Sequence, residues 1–193
     1  MIKNPLSRYV TFAGALRHIC NFTTDYFMPL FFILQYPAYK TQFSLIYAAC
    51  YLTLGVASVN LGGILADRFA KKNPGAYGNI CLWSSMLGWP TMCLAVLCTS
   101  NFYVSIAAVA ASFFLGSTYW GPNVTMMQKG IPSEEFGSYI SAYNFTISMT
   151  ACVSTALVGF VINYFNAGSN PVMIGRVIAG FLCIGYGGSI WAW

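Results

Sequence analysis

The sequence predicts an all-α membrane protein, and three observations support this fold class. Hydrophobic residues make up 58% of the 193 residues and charged residues only 7%, whereas soluble proteins contain about 25% charged residues. Apolar stretches of about 20 residues or more recur along the chain, which is the length that a helix needs to cross a bilayer. The stretches lack the regular alternation of membrane β-strands. We therefore expect a polytopic helical protein that lies in the lipid bilayer.

The apolar stretches predict six transmembrane helices in a single domain that covers residues 1–193. Each approaches or exceeds the length needed to cross roughly 30 Å of hydrocarbon at about 1.5 Å per residue. Short connections rich in Gly, Pro, Asn and Ser separate the helices. The predicted spans are 9–35, 43–66, 79–99, 102–127, 137–164 and 172–193.

The positively charged residues predict the orientation of the chain. Lys40 lies on one side of the membrane, with Arg176 just inside the last span, and most of the other cations lie on the opposite side. That side holds the N-terminus and the second and fourth loops, with Lys3, Arg8, Arg68, Lys71, Lys72 and Lys129. Because cytoplasmic loops are enriched in Lys and Arg, we expect the N-terminus on the cytoplasmic side, or on the matrix or stromal side in an organelle.

Several function classes are not supported by the sequence. The seven cysteines lie in apolar stretches without a CxxC pair, and His18 is the only histidine. We therefore expect buried free thiols that pack as small apolar side chains, with no metal site and no cofactor. There is no Gly-Lys-Ser/Thr nucleotide-binding loop and no clear nucleophile motif, so we do not expect an enzyme. The net charge of +5 belongs to the loops of a membrane protein and does not indicate a nucleic-acid partner.

A charged motif follows the second predicted span, where residues 62–72 read GGILADRFAKK. From Gly63 to Lys72 it closely resembles the signature G-x-L-A-D-R-x-G-R-K of the major facilitator superfamily. The chain has Ala70 where that family prefers Gly, and Lys71 where it has Arg. In that family the motif lies in the cytoplasmic loop between the second and third helices of a six-helix half, which matches the position and orientation predicted here.

Weaker resemblances extend over the rest of the chain. Residues 119–123 and 131–145 resemble the family's passage from its tenth to its eleventh helix, and the opening KNPLSRY resembles the linker between its halves. The resemblance implies a six-helix bundle equivalent to one half of the fold, and specifically the C-terminal half. Since no second copy is found in the chain, we expect a fragment of a twelve-helix protein or a half that pairs with another subunit.

The resemblance also implies that the motif acts as a conformational latch. In this role the Asp67 carboxylate would accept hydrogen bonds from free backbone N–H groups at the start of the fifth span, near Gly137. The neighbouring bases would pair with Asp67, with Glu134 or with lipid phosphates. The latch residues are Gly63, Asp67, Arg68, Lys71, Lys72 and Glu134. The alternative is that the bases only enforce the membrane topology.

Polar residues in the first span predict a substrate or proton pathway. Arg17, His18, Asn21 and Asp25 fall within an arc of about 120° when the helix is projected at 100° per residue. Ionisable groups at membrane depth are costly unless they face a partner or water. Arg17 is the candidate for binding an anionic group and Asp25 for proton or cation coupling. Because histidine ordinarily titrates near neutral pH, we expect His18 to be able to do so as well. Asn21 is placed to bridge Arg17 and Asp25. Alternatively, Arg17 extends to the headgroups at the inner surface.

The fifth span carries a second polar face, which includes Asn144 and Ser148. This face also contains small residues at helical spacing. It predicts either a wall of the pathway or, as we favour, close packing between helices in lipid.

Two functions follow from these observations. The first is a secondary active or facilitative transporter, a symporter or antiporter included, that moves a small solute or amphiphile by alternating access. Its small-molecule substrate would bind near the bilayer midplane between two six-helix repeats. The second is a non-transporting structural membrane subunit of a larger complex, derived from a transporter half.

Overall fold

The computed structural model describes residues 5–73 and 75–193. Lys3, one of the cations used to predict the orientation, lies outside these residues. The described chain is 90% helical and contains no strand, which confirms the all-α class.

Eight α-helices follow one another along the described residues. They are α1 Pro5–Gln35, α2 Lys40–Cys50, α3 Val56–Ala70, α4 Ala76–Leu97, α5 Phe102–Gly116, α6 Trp120–Gly130, α7 Phe136–Tyr164 and α8 Pro171–Ala192. A π-helical turn, Tyr51–Gly55, joins α2 to α3, and a 3₁₀ turn, Ser117–Tyr119, joins α5 to α6. Two pairs of helices therefore form two long rods, Pro37–Ala70 and Phe102–Gly130.

Five helical rods are long and apolar enough to cross a membrane, and they correspond to the second to sixth predicted spans. They are Pro37–Ala70, Ala76–Leu97, Phe102–Gly130, Phe136–Tyr164 and Pro171–Ala192. The chain is thus a multi-pass helical membrane protein by length and composition. α1 corresponds to the predicted span 9–35 but is not among the five, because Arg17, His18 and Asp25 interrupt its apolar sequence.

The helices pack around α1 and α4. α1 lies mainly along α8 and α7, while α4 lies between α5 and α8, and α3 packs on α6. The main apolar core joins α1, α2, α4, α5, α7 and α8 and includes Met28, Phe31, Phe32, Val109, Ile174, Ile178 and Leu182. A smaller cluster, with Val10, Met127, Tyr139, Tyr143 and Ile147, joins the first part of α1 to α6 and α7. The two clusters leave polar groups between them.

Side chains at two helix starts explain where α5 and α8 begin. The Asn101 side chain accepts a hydrogen bond from the Tyr103 backbone N–H (2.9 Å), and Asn170 accepts from Val172 N–H (3.1 Å). Asparagine is a favoured N-cap because its oxygen satisfies an N–H group that has no partner within the helix. Pro171 follows Asn170 at the first helical position, where no N–H is needed.

The cysteines only partly follow the prediction. All seven are free thiols, as expected. Cys152 and Cys183, however, are exposed on α7 and α8, so the expectation that every thiol is buried was wrong. An apolar stretch in a membrane helix has an outward face as well as a core face, and a thiol is compatible with both.

The first glycine of the GGILADRFAKK stretch, Gly62, allows the close approach of α3 and the turn between α5 and α6. A Cβ atom at Gly62 would lie 2.0 Å from the carbonyl oxygen of Thr118, whereas a Cβ at Gly63 would have nothing within 4 Å. One turn earlier, the Ser58 hydroxyl donates to Phe114 O (2.5 Å) and lies 2.9 Å from Thr118 Oγ1. Small residues with interhelical hydrogen bonds are the usual means of holding membrane helices together.

We expect Gly62→Ala to lower the free energy of unfolding by about 1–3 kcal/mol, because the added methyl group collides with a backbone carbonyl that cannot move independently. Gly63→Ala is the matched control. It should leave stability unchanged or raise it by up to about 1 kcal/mol, because alanine favours the helix. Thermal unfolding of the purified variants in one detergent measures the difference. Equal unfolding midpoints for the two variants would contradict the close approach at Gly62.

Candidate functional site

A cavity of about 370 Å³ lies beside α1 and contains several of the polar residues predicted from the sequence. Its walls come from α1, the π-helical turn with α3, α4, the α5–α6 rod and α8. At its inner end are the buried side chains of Arg17, Ser112 and Tyr186. At its mouth are exposed residues, including Asp25, Tyr51 and Asn60. The cavity therefore leads from a buried cation to an exposed carboxylate.

The Arg17 guanidinium is held by neutral groups inside the bundle. Its exposed fraction is 2%. Nη2 donates to the Gly116 carbonyl at 2.9 Å, and Nη1 makes a longer bond of 3.4 Å to Asn21 Oδ1. Its Cζ atom lies 3.9 Å from the ring centre of Tyr186 and 4.9 Å from that of Tyr119, which are distances typical of cation–π contacts. The guanidinium thus lies in the interior of the helical bundle and not at its surface.

Within residues 5–73 and 75–193, Arg17 has no carboxylate partner. The chain contains four acidic residues. Asp67, Glu134 and Glu135 lie near helix ends, and Asp25 lies eight residues further along α1, which is about 12 Å of helix. In addition, Arg17 Nε is buried without a hydrogen-bond partner. The site therefore contains a buried positive charge that the described chain does not neutralise.

The carbonyl of Gly116 is positioned by the irregular joint between α5 and α6. Gly116 ends α5, and the 3₁₀ turn follows it. The Ser84 hydroxyl of α4 also donates to this carbonyl at 2.9 Å. A Cβ atom at Gly116 would lie 3.1 Å from Arg17 Nη2, and one at Gly88 would lie 2.9 Å from Gly116 Cα. Glycine at both positions therefore lets α4 and α5 approach and leaves room for the guanidinium.

Asn21 links Arg17 to an aromatic residue and not to Asp25 as predicted. Its Nδ2 donates to the Tyr119 hydroxyl at 2.9 Å, while its Oδ1 faces Arg17. Asp25 is exposed at the cavity mouth. Its charge acts on the phenol groups of Tyr47 and Tyr51. Asn21 thus does not connect the two ends of the cavity.

His18 is not among the residues that line the cavity. Its Nδ1–H donates to Gly14 O at 2.7 Å within α1. The ring is buried among aromatic residues: it lies 5.0 Å from Trp120, 6.3 Å from Tyr119 and 6.5 Å from Tyr143, measured between ring centres. Arg17 and His18, predicted to share one face of the helix, therefore have different surroundings in the structure, because adjacent helix positions point about 100° apart.

Asn144 and Ser148 are likewise outside the cavity. Both are exposed on α7, as are Ser141 and Cys152 of the same face. A Cβ atom at Gly159, further along this face, would have nothing within 4 Å. Among the described residues, this face of α7 is therefore neither packed against a helix nor part of the Arg17 cavity.

Of the predicted latch residues, Asp67 and Arg68 lie at the end of α3 opposite the π-helical turn and Lys71 and Lys72 follow it, whereas Gly63 lies in the middle of α3 and Glu134 precedes α7. The Tyr77 hydroxyl of α4 donates to Asp67 Oδ1 at 2.9 Å. Lys129, at the end of α6, donates to the same hydroxyl, and its Nζ lies 4.5 Å from the centre of the Tyr77 ring. The hydrogen bond of Asp67 thus joins α3 to α4, whereas the resemblance pointed to the helix that begins near Gly137. Arg68, Lys71, Lys72 and Glu134 are exposed.

Sequence reasoning missed the groups that surround Arg17. Tyr186, Tyr119, Gly116 and Gly88 lie in apolar stretches of three different helical rods, and nothing in their spacing separates them from core residues. The π-helical turn was also missed, although Tyr51, Leu52 and Gly55 of this turn line the cavity. Turns of this kind occur frequently at functional sites. Only the convergence of the rods brings these residues together.

We expect Tyr77→Phe to destabilise the protein by on the order of 1 kcal/mol, because it removes the hydroxyl that connects Asp67 and Lys129 and keeps the ring. Tyr164→Phe is the matched control, since Tyr164 is 71% exposed at the end of α7. Thermal unfolding at low and high salt measures both variants. The loss in Tyr77→Phe should shrink at high salt, because salt screens exposed charges.

A double-mutant cycle with Lys129→Met tests whether the connection itself is responsible. If the losses caused by Tyr77→Phe and Lys129→Met simply add, the two side chains are not coupled and the interpretation fails.

The sequence matches no model of a known protein family and no curated protein. A function for this membrane protein must therefore be argued from the cavity and from the charges at the helix ends.

Proposed function

We propose that the chain is one six-helix half of a transporter of the major facilitator type, which moves a small solute or amphiphile across a membrane by alternating access. The observation on which this depends is the cavity that connects buried Arg17 with exposed Asp25. Ionisable groups inside a membrane domain mark substrate and ion pathways, because a charge at that depth is energetically unfavourable and is usually kept only where it has a function. The role is transport and not catalysis.

The polar mouth of the cavity supports a second bundle as the partner. Asp25 and Asn60 are exposed there, and Asn144 and Ser148 are exposed on α7. A carboxylate or an amide that faces hydrocarbon without a hydrogen-bond partner costs on the order of several kcal/mol. A second six-helix half, from the same parent chain or from another subunit, would cover these groups and close a water-filled path between the two bundles.

The charges at the ends of the helices support an orientation and a latch. Arg68, Lys71 and Lys72 are exposed at the end of α3, and Lys129 lies at the end of α6. On the positive-inside rule this end faces the cytoplasm, or the matrix or stroma. We assign the contact of Asp67, Tyr77 and Lys129 the role of holding this end closed in one conformational state.

A second candidate function is a non-transporting structural subunit of a larger complex. The observation that favours it is the exposed polar and small-residue face of α7, with Ser141, Asn144, Ser148 and Cys152. Faces of this composition permit close packing of helices in lipid. A permanent partner on this face would leave the Arg17 cavity sealed from one side of the membrane.

The accessibility of Asp25 from the two sides of the membrane distinguishes transport from a structural role. The full-length protein is prepared with Cys152→Ala and Cys183→Ala, and Asp25→Cys is added in that background. A membrane-impermeant maleimide, applied in separate experiments from each side, should label this cysteine from both sides, because an alternating-access cavity opens to each side in turn. The background protein measures labelling of the five remaining native thiols.

Tyr26→Cys is the matched control, because Tyr26 is 62% exposed next to Asp25 but does not line the cavity. It should remain unlabelled from either side, because its side chain lies outside the water-filled cavity. Labelling of Asp25→Cys from one side only would favour the structural subunit. If it is labelled from neither side, the water-filled cavity is wrong.

A further inference from the structure

The structure also points to the chemical class of the ligand, an inference that rests on the proposed transport function. We propose that the cavity binds an amphiphilic anion whose carboxylate or phosphate group contacts the guanidinium of Arg17 and whose apolar part lies along the cavity wall. The charge of Arg17, its unused hydrogen-bond donors and the unequal ends of the cavity each support this ligand class.

The charge of Arg17 requires a counter-ion that the described residues do not provide. The side chain is 2% exposed, and its recorded partners are one carbonyl, one amide, the side chains of two tyrosines and the thiol of Cys20. These groups solvate a cation through dipoles and ring faces, but they leave its net charge in place. Because an isolated buried charge is strongly unfavourable, an anion that enters this site gains more than it would in water.

The hydrogen-bonding capacity of the guanidinium is only partly used. An arginine side chain has five N–H donors, and the described residues accept from Nη1 and Nη2, one bond each, while Nε has no acceptor. Carboxylate and phosphate oxygens accept two parallel bonds from a guanidinium, which neutral acceptors do not match in strength. The free donors therefore favour an oxyanion over a neutral polar ligand.

The two ends of the cavity differ in a way that orients such a ligand. Asp25 is at the mouth, where its negative charge opposes an anion, and Arg17 is at the inner end. The rest of the wall is largely apolar and includes Val59, Met92 and Phe113. An anion with an apolar tail meets both conditions when its charged group lies deepest. The oxyanion group has two sources, a lipid-like amphiphile and a soluble anion, and the probes distinguish them.

The test is equilibrium binding to the purified full-length protein in nanodiscs of phosphatidylcholine. The labelled probes are dodecyl phosphate and dodecanoate, and the competitors are inorganic phosphate, acetate and the neutral alcohol dodecanol. We expect saturable binding of at least one labelled anion, with dodecanol a poor competitor. Competition by inorganic phosphate or acetate would show that the soluble anion suffices, and its failure would assign the site to amphiphilic anions.

Substitutions identify the residue responsible. Arg17→Gln should weaken binding by about 10- to 100-fold, the range expected for hydrogen bonds to a charged group. Arg17→Lys should fall between Arg17→Gln and the parent, because it keeps the charge and loses the planar fork. Arg176→Gln is the control and should bind like the parent, since Arg176 is exposed on α8 and contacts only Met173 of its own helix.

Two results would overturn the ligand class. One is that the folded Arg17→Gln variant binds the anions as tightly as the parent. The other concerns the parent protein alone: it binds neither anion saturably, or it binds an anion for which dodecanol competes as well as the anions do. This second result needs no variant, so it decides the matter even if Arg17→Gln does not fold. Anion binding with one-sided labelling of Asp25→Cys would reject transport alone, and two-sided labelling without anion binding would reject the ligand class alone.

Discussion

The burial of the Arg17 guanidinium constrains the arrangement of the helices around it. A cation inside a membrane domain must be solvated by the protein itself, and the groups that do this come from α1, α5, α8 and the turn after α5. Tyr186 and Tyr119 supply ring faces, and Gly116 supplies a carbonyl. These groups converge where α4 and α5 approach at Gly88 and Gly116, and a methyl group on Gly88 would lie only 2.9 Å from the Gly116 Cα. The close packing of the helices is thus what brings the groups that solvate Arg17 together.

Two irregular turns of the described chain contribute to the cavity. The 3₁₀ turn Ser117–Tyr119 follows the carbonyl that Arg17 uses, and the π-helical turn Tyr51–Gly55 supplies part of the wall at the mouth. Gly116 is the last residue of α5, and the carbonyl groups in the last turn of a helix are those that lack partners within it, so this joint offers a backbone ligand to the buried cation. In a membrane such breaks are tolerated where they are buried in protein or line a cavity, as these two do.

Much of the fold could be predicted because membrane helices are encoded locally. The spans predicted at 79–99, 102–127, 137–164 and 172–193 agree with the helical rods to within a few residues at most ends. Apolar length and loop composition determine these ends, and neither depends on the rest of the chain. The candidate site was predictable only in part. Arg17, Asn21 and Asp25 do line one cavity, but His18 faces an aromatic cluster, and Asn144 and Ser148 face outward, because the direction of a side chain depends on which helices become neighbours.

The sequence by itself determined the helical membrane class, the five long apolar helices and the positions of charged residues such as Arg17 and Asp67 along the chain. These properties follow from composition and from the spacing of residues along a single helix. Only the tertiary structure decided what those charges meet: Arg17 has tyrosine rings and a carbonyl instead of Asp25, and Asp67 has Tyr77 of α4 instead of the start of α7. Contacts between residues about 100 positions apart depend on how the helices cross. Glycines, small hydroxyl groups and irregular turns set those crossings, and in the linear sequence they resemble any other part of an apolar helix.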